Sequence, residues 1–446
     1  MHLKLSSIRG KLLHFVYSAD GKQLAGNTGY LMLGHIATYV LALALVPYLL
    51  HTVGVAIFGM ITLAQTVVSY LMLLVEYGFN LSATQEAVRL LQDKETNRAE
   101  LQQLYNRVFT VRLFLLVCAA VLFSLLVWFI PLYRAEAALF FLTFLQLIGH
   151  AVYPLWLFQG GENMRLITLL NLCFRILFFV LVFVAVHSRA DYLWVPALYS
   201  FGYLTIGLIG FFVAMYQYSI RLALAPWQEV VVALKNNMVL FFSNLALYLY
   251  VYAPTVLAGF LLSRQDLGYY SVAERIMTAI RHVVSAIAQA VFPVSARLSI
   301  TSHAAMRSFL KRAAIIYTLA VGTGCVLLFF LAPSIVHLLN KEPMLVVVEL
   351  LQVLCWMPIL FVINFTFSHV LLVYKHRTSY FVAFVLASIC SILLTVFLTS
   401  HLGVLGTAYA VFVTELLLMF ACVIMIEVRH KEHSLLGQNP TNHANV

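Results

Sequence analysis

Residues 165–186 read RLITLLNLCFRILFFVLVFVAV. After Arg165 the run is apolar except for Thr168, Asn171 and Arg175. At 1.5 Å per residue a helix of this length covers ~30 Å, the thickness of a bilayer's hydrocarbon core. Helix is required there, because lipid offers no partner to an open backbone N–H or C=O. Thr168, Asn171 and Arg175 fall at i, i+3 and i+7, on one face of that helix. A charge at mid-membrane costs roughly 2.5–3.5 kcal/mol on insertion scales, so this stripe needs a reason.

Working outward, eleven other runs share this character. The twelve predicted spans are roughly 28–49, 55–77, 106–130, 137–158, 165–186, 191–216, 237–262, 268–294, 313–338, 345–373, 378–400 and 404–427. Composition agrees. Of the 446 residues 63% are hydrophobic and 10% charged, whereas a water-soluble chain needs about 25% charged residues to cover its surface. The fold class expected is an all-α polytopic membrane protein. The net charge of +10 does not indicate nucleic acid as a partner. Its basic residues sit in short loops between apolar runs, with no basic stripe alongside stacking aromatics. All six cysteines fall inside apolar runs, where Cys behaves as a small hydrophobe, so neither a disulfide framework nor a metal site is expected.

Lys and Arg set the orientation. With the N-terminus inside, the cytoplasmic segments hold 20 of the 27 basic residues, and the outside loops hold only Arg134, Arg189, Arg264 and Lys341. Both termini are therefore expected in the cytoplasm. Residues 1–27, with Lys4, Arg9, Lys11 and Lys22 but no long apolar core, read as a cytoplasmic tail. The expected organisation continues with a six-helix lobe at 28–216, a cytoplasmic linker at 217–236, a second six-helix lobe at 237–427 and a tail at 428–446. The linker contains Pro226 and Trp227, and a loop around 85–94 has apolar residues at helical spacing and should lie along the membrane surface.

Polar stripes recur on other spans. The second carries Gln65, Ser69 and Glu76, the fourth Thr143, Gln146, His150 and Tyr153, and the seventh Asn237, Asn244, Tyr248, Tyr252 and Thr255. On the eighth, Glu274 and Arg281 are seven residues apart, as are Arg275 and His282. Stripes on five helices imply a shared wet interior. There the forked guanidinium groups of Arg175, Arg275 and Arg281 suit phosphate oxygens, while Asn171, Asn244, Tyr248 and His150 suit sugars. Glu76 and Glu274 are candidates for ion coupling or gating. The competing reading is structural: Glu274 neutralises one arginine, and His150 serves an interhelical hydrogen bond. No nucleotide-binding loop, Ser-His-Asp arrangement or metal-ligand spacing is visible, so no enzymatic activity and no cofactor are expected.

Two segments carry a family resemblance. Residues 266–276, DLGYYSVAERI, continue at the end of the same helix as Ala288-Gln289-Ala290-Val291-Phe292-Pro293, and the first half offers EYGFNLSAT at 76–84. These resemble the motifs of Wzx-type O-antigen flippases, within the multidrug/oligosaccharidyl-lipid/polysaccharide exporter superfamily. The resemblance implies two six-helix lobes around a central cavity that opens alternately to either side of a bacterial inner membrane. It implies a lipid-linked oligosaccharide substrate, undecaprenyl pyrophosphate bearing one O-antigen repeat unit, moved from the cytoplasmic to the periplasmic leaflet. Coupling to a proton or sodium gradient, and work alongside an O-antigen polymerase and chain-length machinery, are also implied. Glu274 and Arg275 lie in one matched motif and Glu76 in the other; Arg175 and Arg281 lie outside both. A multidrug exporter of the same superfamily would favour intramembrane acids over bases, and an O-antigen polymerase or ligase would need a large periplasmic loop.

Overall fold

The structure is a computed structural model that describes residues 40–93, 97–301, 303–340, 343–374 and 376–429. The expected tail at 1–27, the first part of the span at 28–49 and all but the start of the tail at 428–446 lie outside the described residues. Every regular element among the described residues is a helix. In order they are α1 Val40–Thr52, α2 Val55–Glu76, α3 Phe79–Leu91, α4 Arg98–Phe129, α5 Pro131–Ala135, α6 Ala137–Phe144, α7 Gln146–Val152, α8 Leu155–Gly160, α9 Met164–Ala185, α10 Trp194–Gln217, α11 Trp227–Leu261, α12 Arg264–Thr301, α13 His303–Leu339, α14 Leu345–Leu354, α15 Met357–Val373 and α16 Arg377–Ile424.

Nine segments among the described residues are long and apolar enough to cross a membrane. Their outward faces fit lipid as the solvent. On α4, Val117, Val121, Leu125 and Phe129 stand one turn apart and are all exposed, as are Ile315, Ile316 and Leu319 on α13. Apolar stripes this long are ruinous in water and favourable in hydrocarbon.

Local sequence explains the breaks. The 48 residues of α16 would span ~72 Å as one straight helix, more than twice the hydrocarbon core. The chain instead kinks at Gly403, whose φ of 60° and ψ of −141° only glycine adopts readily. The two arms return on each other closely: a Cβ on Gly406 would lie 2.0 Å from the Leu398 carbonyl oxygen, and Thr399 and Thr407 share a hydrogen bond of 2.9 Å. The kink falls between the expected spans 378–400 and 404–427. At the end of α2, Tyr77 (φ 46°) and Gly78 (φ 81°) turn the chain into α3, an amphipathic helix that buries Phe79, Ala83, Ala87 and Leu90. The expected span 137–158 differs from a single helix. It is divided among α6, α7 and α8, and the second break falls where Tyr153 is extended and Pro154 cannot donate to the turn before it.

The chain forms two compact units. Unit 1 holds Leu71–Ala185 and Leu193–Val239; unit 2 holds Leu43–Tyr70, Val186–Tyr192 and the described chain from Leu240 onward. In unit 1, α7 and α10 touch backbone to backbone, since a Cβ on Gly149 would lie 2.2 Å from the Tyr203 carbonyl oxygen. Around them pack Trp156, Phe158, Phe123 and Phe140, all fully buried. In unit 2, Met306, Leu310, Phe367, Val370, Leu371, Ala383, Leu418 and Cys422 form one core joining α13, α15 and α16.

Candidate functional site

In unit 2 two glycines set the geometry. A Cβ on Gly59 would lie 2.6 Å from the Gly268 nitrogen, and one on Gly268 would lie 2.2 Å from the Val55 carbonyl oxygen. With α2 and α12 in that contact, residues a little further along each helix meet: Arg275 Nη2 donates to Gln65 Oε1 at 3.2 Å. The two helices therefore run in the same direction. Arg275 is half-buried, and the Gln65 amide is neutral. The bond orients the guanidinium without cancelling its charge. Glu274 is also half-buried and accepts from Thr278 Oγ1, one turn on in its own helix, at 2.5 Å.

Arg281 lies deeper in the same helix. The charge acting most strongly on it is Glu415 of α16, ahead of Glu274 of its own helix. Glu415 is 2% exposed, accepts from Asn364 Nδ2 at 2.7 Å and is hydrogen-bonded with the Tyr250 hydroxyl. Arg281 and Glu415 both line a cavity of about 10 Å³ with Met277, Met357, Pro358 and Phe361, room for about one water. Nearby on the Tyr250 helix, Tyr248 packs its ring 5.2 Å from Tyr252. Tyr70 of α2 lies 6.4 and 6.2 Å from these two rings and donates to the Tyr248 carbonyl at 3.3 Å. Asn244, half-buried, stands one turn before Tyr248.

Unit 1 holds the remaining candidates. Arg175 sits over the rings of Tyr199 at 5.5 Å and Phe174 at 5.8 Å, a cation–π arrangement suited to a charge at the edge of an apolar face. Asn171 turns back on its own helix, donating to the Ile167 carbonyl at 2.8 Å. Glu76 and His150, by contrast, lie in the field of a residue that the sequence places at a helix edge. Arg112 is 2% exposed. Its Nη1 donates to the Tyr153 carbonyl at 2.9 Å, the acceptor released where the chain breaks between α7 and α8. Its charge acts on Glu76, Tyr105 and His150, and Glu76 is hydrogen-bonded with Asn80 at the start of α3. The sequence signal for Arg112 is weak: it sits one turn inside an apolar run, just after Arg98 and Arg107.

Unit 2 thus places a guanidinium oriented by a neutral amide, the amide of Asn244 and tyrosine faces within an apolar setting. A profile of a family described as polysaccharide biosynthesis protein matches residues 24–299. The "Putative O-antigen transporter" of Escherichia coli (strain K12) is 25% identical over 403 residues, covering 89% of this chain and 96% of that protein. The protein of the same name from Shigella dysenteriae is 24% identical, covering 88% and 97%. Among solved structures, an inward-facing multidrug resistance MATE family transporter of the MOP superfamily superposes with a TM-score of 0.70, at 12% identity over 89% of this chain and 95% of that one. Lipid II flippase MurJ, in an inward closed conformation, superposes with a TM-score of 0.65, at 12% identity over 89% of this chain and 88% of that one. With a family profile spanning more than half its length, and the fold of these transporters, the chain belongs to the polysaccharide biosynthesis protein family.

Proposed function

We propose that this protein is a flippase that moves a lipid-linked oligosaccharide, an undecaprenyl pyrophosphate carrying one O-antigen repeat unit, from the cytoplasmic to the periplasmic leaflet of a bacterial inner membrane. Both termini face the cytoplasm in this reading, and transport proceeds by alternating access. The observation that carries it is the match along nearly the whole chain to relatives named as O-antigen transporters. Arg275 gives the physical support. It is an oriented cation inside an apolar protein, and its hydrogen-bond partner is neutral. A pyrophosphate cannot enter hydrocarbon unaided, and a guanidinium fork replaces part of its hydration. Arg281 and Arg175 are further cationic contacts, while Tyr248, Asn244, Asn171 and His150 serve the sugar. Glu76 and Glu274 are the candidates for coupling to an ion gradient.

The test is complementation. In a host whose own O-antigen flippase is deleted, the protein should restore O-antigen display and clear the lipid-linked repeat unit from the cytoplasmic leaflet. Arg275→Ala should reach the membrane and fail to do so. Restored display with Arg275→Ala at wild-type rate would overturn the site assignment. Failure of the wild-type protein to complement in every one of a panel of hosts making different repeat units would overturn the function.

A further inference from the structure

Unit 2 has an apolar groove of about 500 Å³ between α12, α13 and α15. Leu310, Ala313, Ala314, Tyr317 and Val321 line it from α13, at i, i+3, i+4, i+7 and i+11, one face of a helix. The two alanines leave room that larger side chains would fill. Three polar side chains reach the wall, and each is bonded within the protein. The Tyr317 hydroxyl donates to the Val284 carbonyl, Thr366 Oγ1 donates to the Val362 carbonyl at 2.8 Å, and His369 Nε2 shares a hydrogen bond with the Ser295 hydroxyl. Such a lining suits hydrocarbon better than water or a sugar. At the rim Val283 is 50% and Ile316 69% exposed. Ile316 belongs to the outward apolar row of α13, so the groove opens sideways toward lipid.

Length and charge say what fills it. From Leu310 to Val321 the groove follows α13 for ~16 Å, close to half of a ~30 Å hydrocarbon core. A phospholipid's acyl chain fills one leaflet and so has that reach. An undecaprenyl chain is much longer and would leave most of its length outside. Charge is set at the Leu310 end. Arg307, half-buried, stands one turn before Leu310 on the same face, and Lys311 and Arg312 are exposed beside it. From His303 to Leu339 the helix has no acidic residue to oppose them. A basic cluster at the end of a leaflet-deep apolar groove complements an anionic headgroup.

We infer that the groove is a binding site for one anionic phospholipid, with an acyl chain along α13 and the headgroup phosphate against Lys311, Arg312 and Arg307. In the orientation proposed above these residues face the cytoplasm, and the lipid belongs to the cytoplasmic leaflet. The chain supplies dispersion contacts that α12, α13 and α15 do not make with one another across the gap. The headgroup selects among lipids, because zwitterionic phosphatidylethanolamine brings no net charge to the cluster. Binding needs no lipid-linked sugar, so the site stands apart from the flippase reading.

The experiment is native mass spectrometry of the full-length protein in detergent, titrated with palmitoyl-oleoyl phosphatidylglycerol, the matching phosphatidylethanolamine, or undecaprenyl phosphate. One phosphatidylglycerol should be retained per protein at concentrations where phosphatidylethanolamine is not. Lys311→Gln combined with Arg312→Gln should weaken that binding by about 30-fold, roughly fivefold for each charge. Arg165→Gln, an exposed basic residue of unit 1, should leave it unchanged. Ala313→Phe with Ala320→Phe should fill the groove and abolish retention. Should that protein fail to insert, dihexanoyl phosphatidylglycerol decides the question on the wild type, because it keeps the headgroup but its chains are too short for the groove. Equal retention of phosphatidylethanolamine, unchanged binding in the Lys311 and Arg312 variant, or dihexanoyl lipid bound as tightly overturns the inference. Displacement of phosphatidylglycerol by less undecaprenyl phosphate also overturns it and gives the groove to the substrate's tail. Selective lipid binding by a protein that exports no lipid-linked sugar would overturn the transport reading and leave the lipid site standing.

Discussion

Unit 2 sets the half-buried Arg281 in the field of the buried Glu415, unit 1 sets the buried Arg112 in that of Glu76, and the two neighbourhoods differ in how their polar atoms are held. In unit 2, Glu415 holds bonds from Asn364 and Tyr250 and lies in the field of Arg281, and Asn364 Oδ1 is left without a partner. In unit 1, Arg112 Nε, Asn80 Oδ1, the Tyr105 hydroxyl and His150 Nε2 are left without partners around Arg112 and Glu76. A matched network in low dielectric is rigid, and removing one member strands another. The contrast leads us to expect that the groups around Glu415 hold unit 2 together more rigidly than those around Arg112 hold unit 1.

The largest expected effect follows from the matched network. Arg281→Ala leaves Glu415 buried without its counter-charge, which costs about 3–5 kcal/mol. Membrane levels and the thermal midpoint in detergent should collapse, and adding Glu415→Gln should recover most of the loss. Wild-type levels for the single variant would break the comparison.

Next come the glycine contacts. Gly149→Ala in unit 1 and Gly59→Ala in unit 2 both press a methyl group into backbone and should each cost about 1–3 kcal/mol. Only Gly59→Ala should also weaken export beyond what its lower abundance explains, because it displaces the Arg275–Gln65 contact. Equal specific activity in the two variants would show that this contact is incidental.

A smaller loss is expected for Arg112→Lys. The charge is kept, but an ammonium reaches the Tyr153 carbonyl less well than a fork does, a loss of about 1 kcal/mol. Stability measured by thermal denaturation should fall less than for Arg281→Ala. The reverse order would mean that the unit 1 cluster is the more rigid of the two.

Arg275→Lys should have the smallest effect on stability, within about 0.5 kcal/mol for a half-buried side chain with one neutral partner. Export should fall part of the way toward that of Arg275→Ala, because the bidentate phosphate contact is gone while the charge remains. Full export by the lysine variant would leave charge as the sole requirement at this position.

Much of the fold was legible along the chain. Run length against bilayer thickness anticipated the nine long apolar segments found among the described residues, and the gap between 378–400 and 404–427 anticipated the turn at Gly403. Those signals are local, each decided by about twenty consecutive residues and the refusal of lipid to solvate backbone. Polar stripes likewise picked out Gln65, Arg275, Tyr248, Glu76 and His150 as residues needing a reason to be in the membrane. What periodicity could not supply was the partner. Gln65 and Arg275 meet because two glycines, each far from the other in sequence, let their backbones touch.

Arg112 marks the boundary most clearly. From sequence it is one more basic residue near the end of a span, where positive charge is common and inexpensive. Tertiary structure turns it inward, because the break at Tyr153 and Pro154, on another helix, frees a carbonyl that lipid cannot satisfy. Glu415 found Arg281 by the same kind of distant necessity. Composition and period therefore determined that this chain lies in a membrane, and which residues there are out of place. The fold alone decided which of those charges answer one another, because pairing depends on distances between segments that the order of residues does not contain.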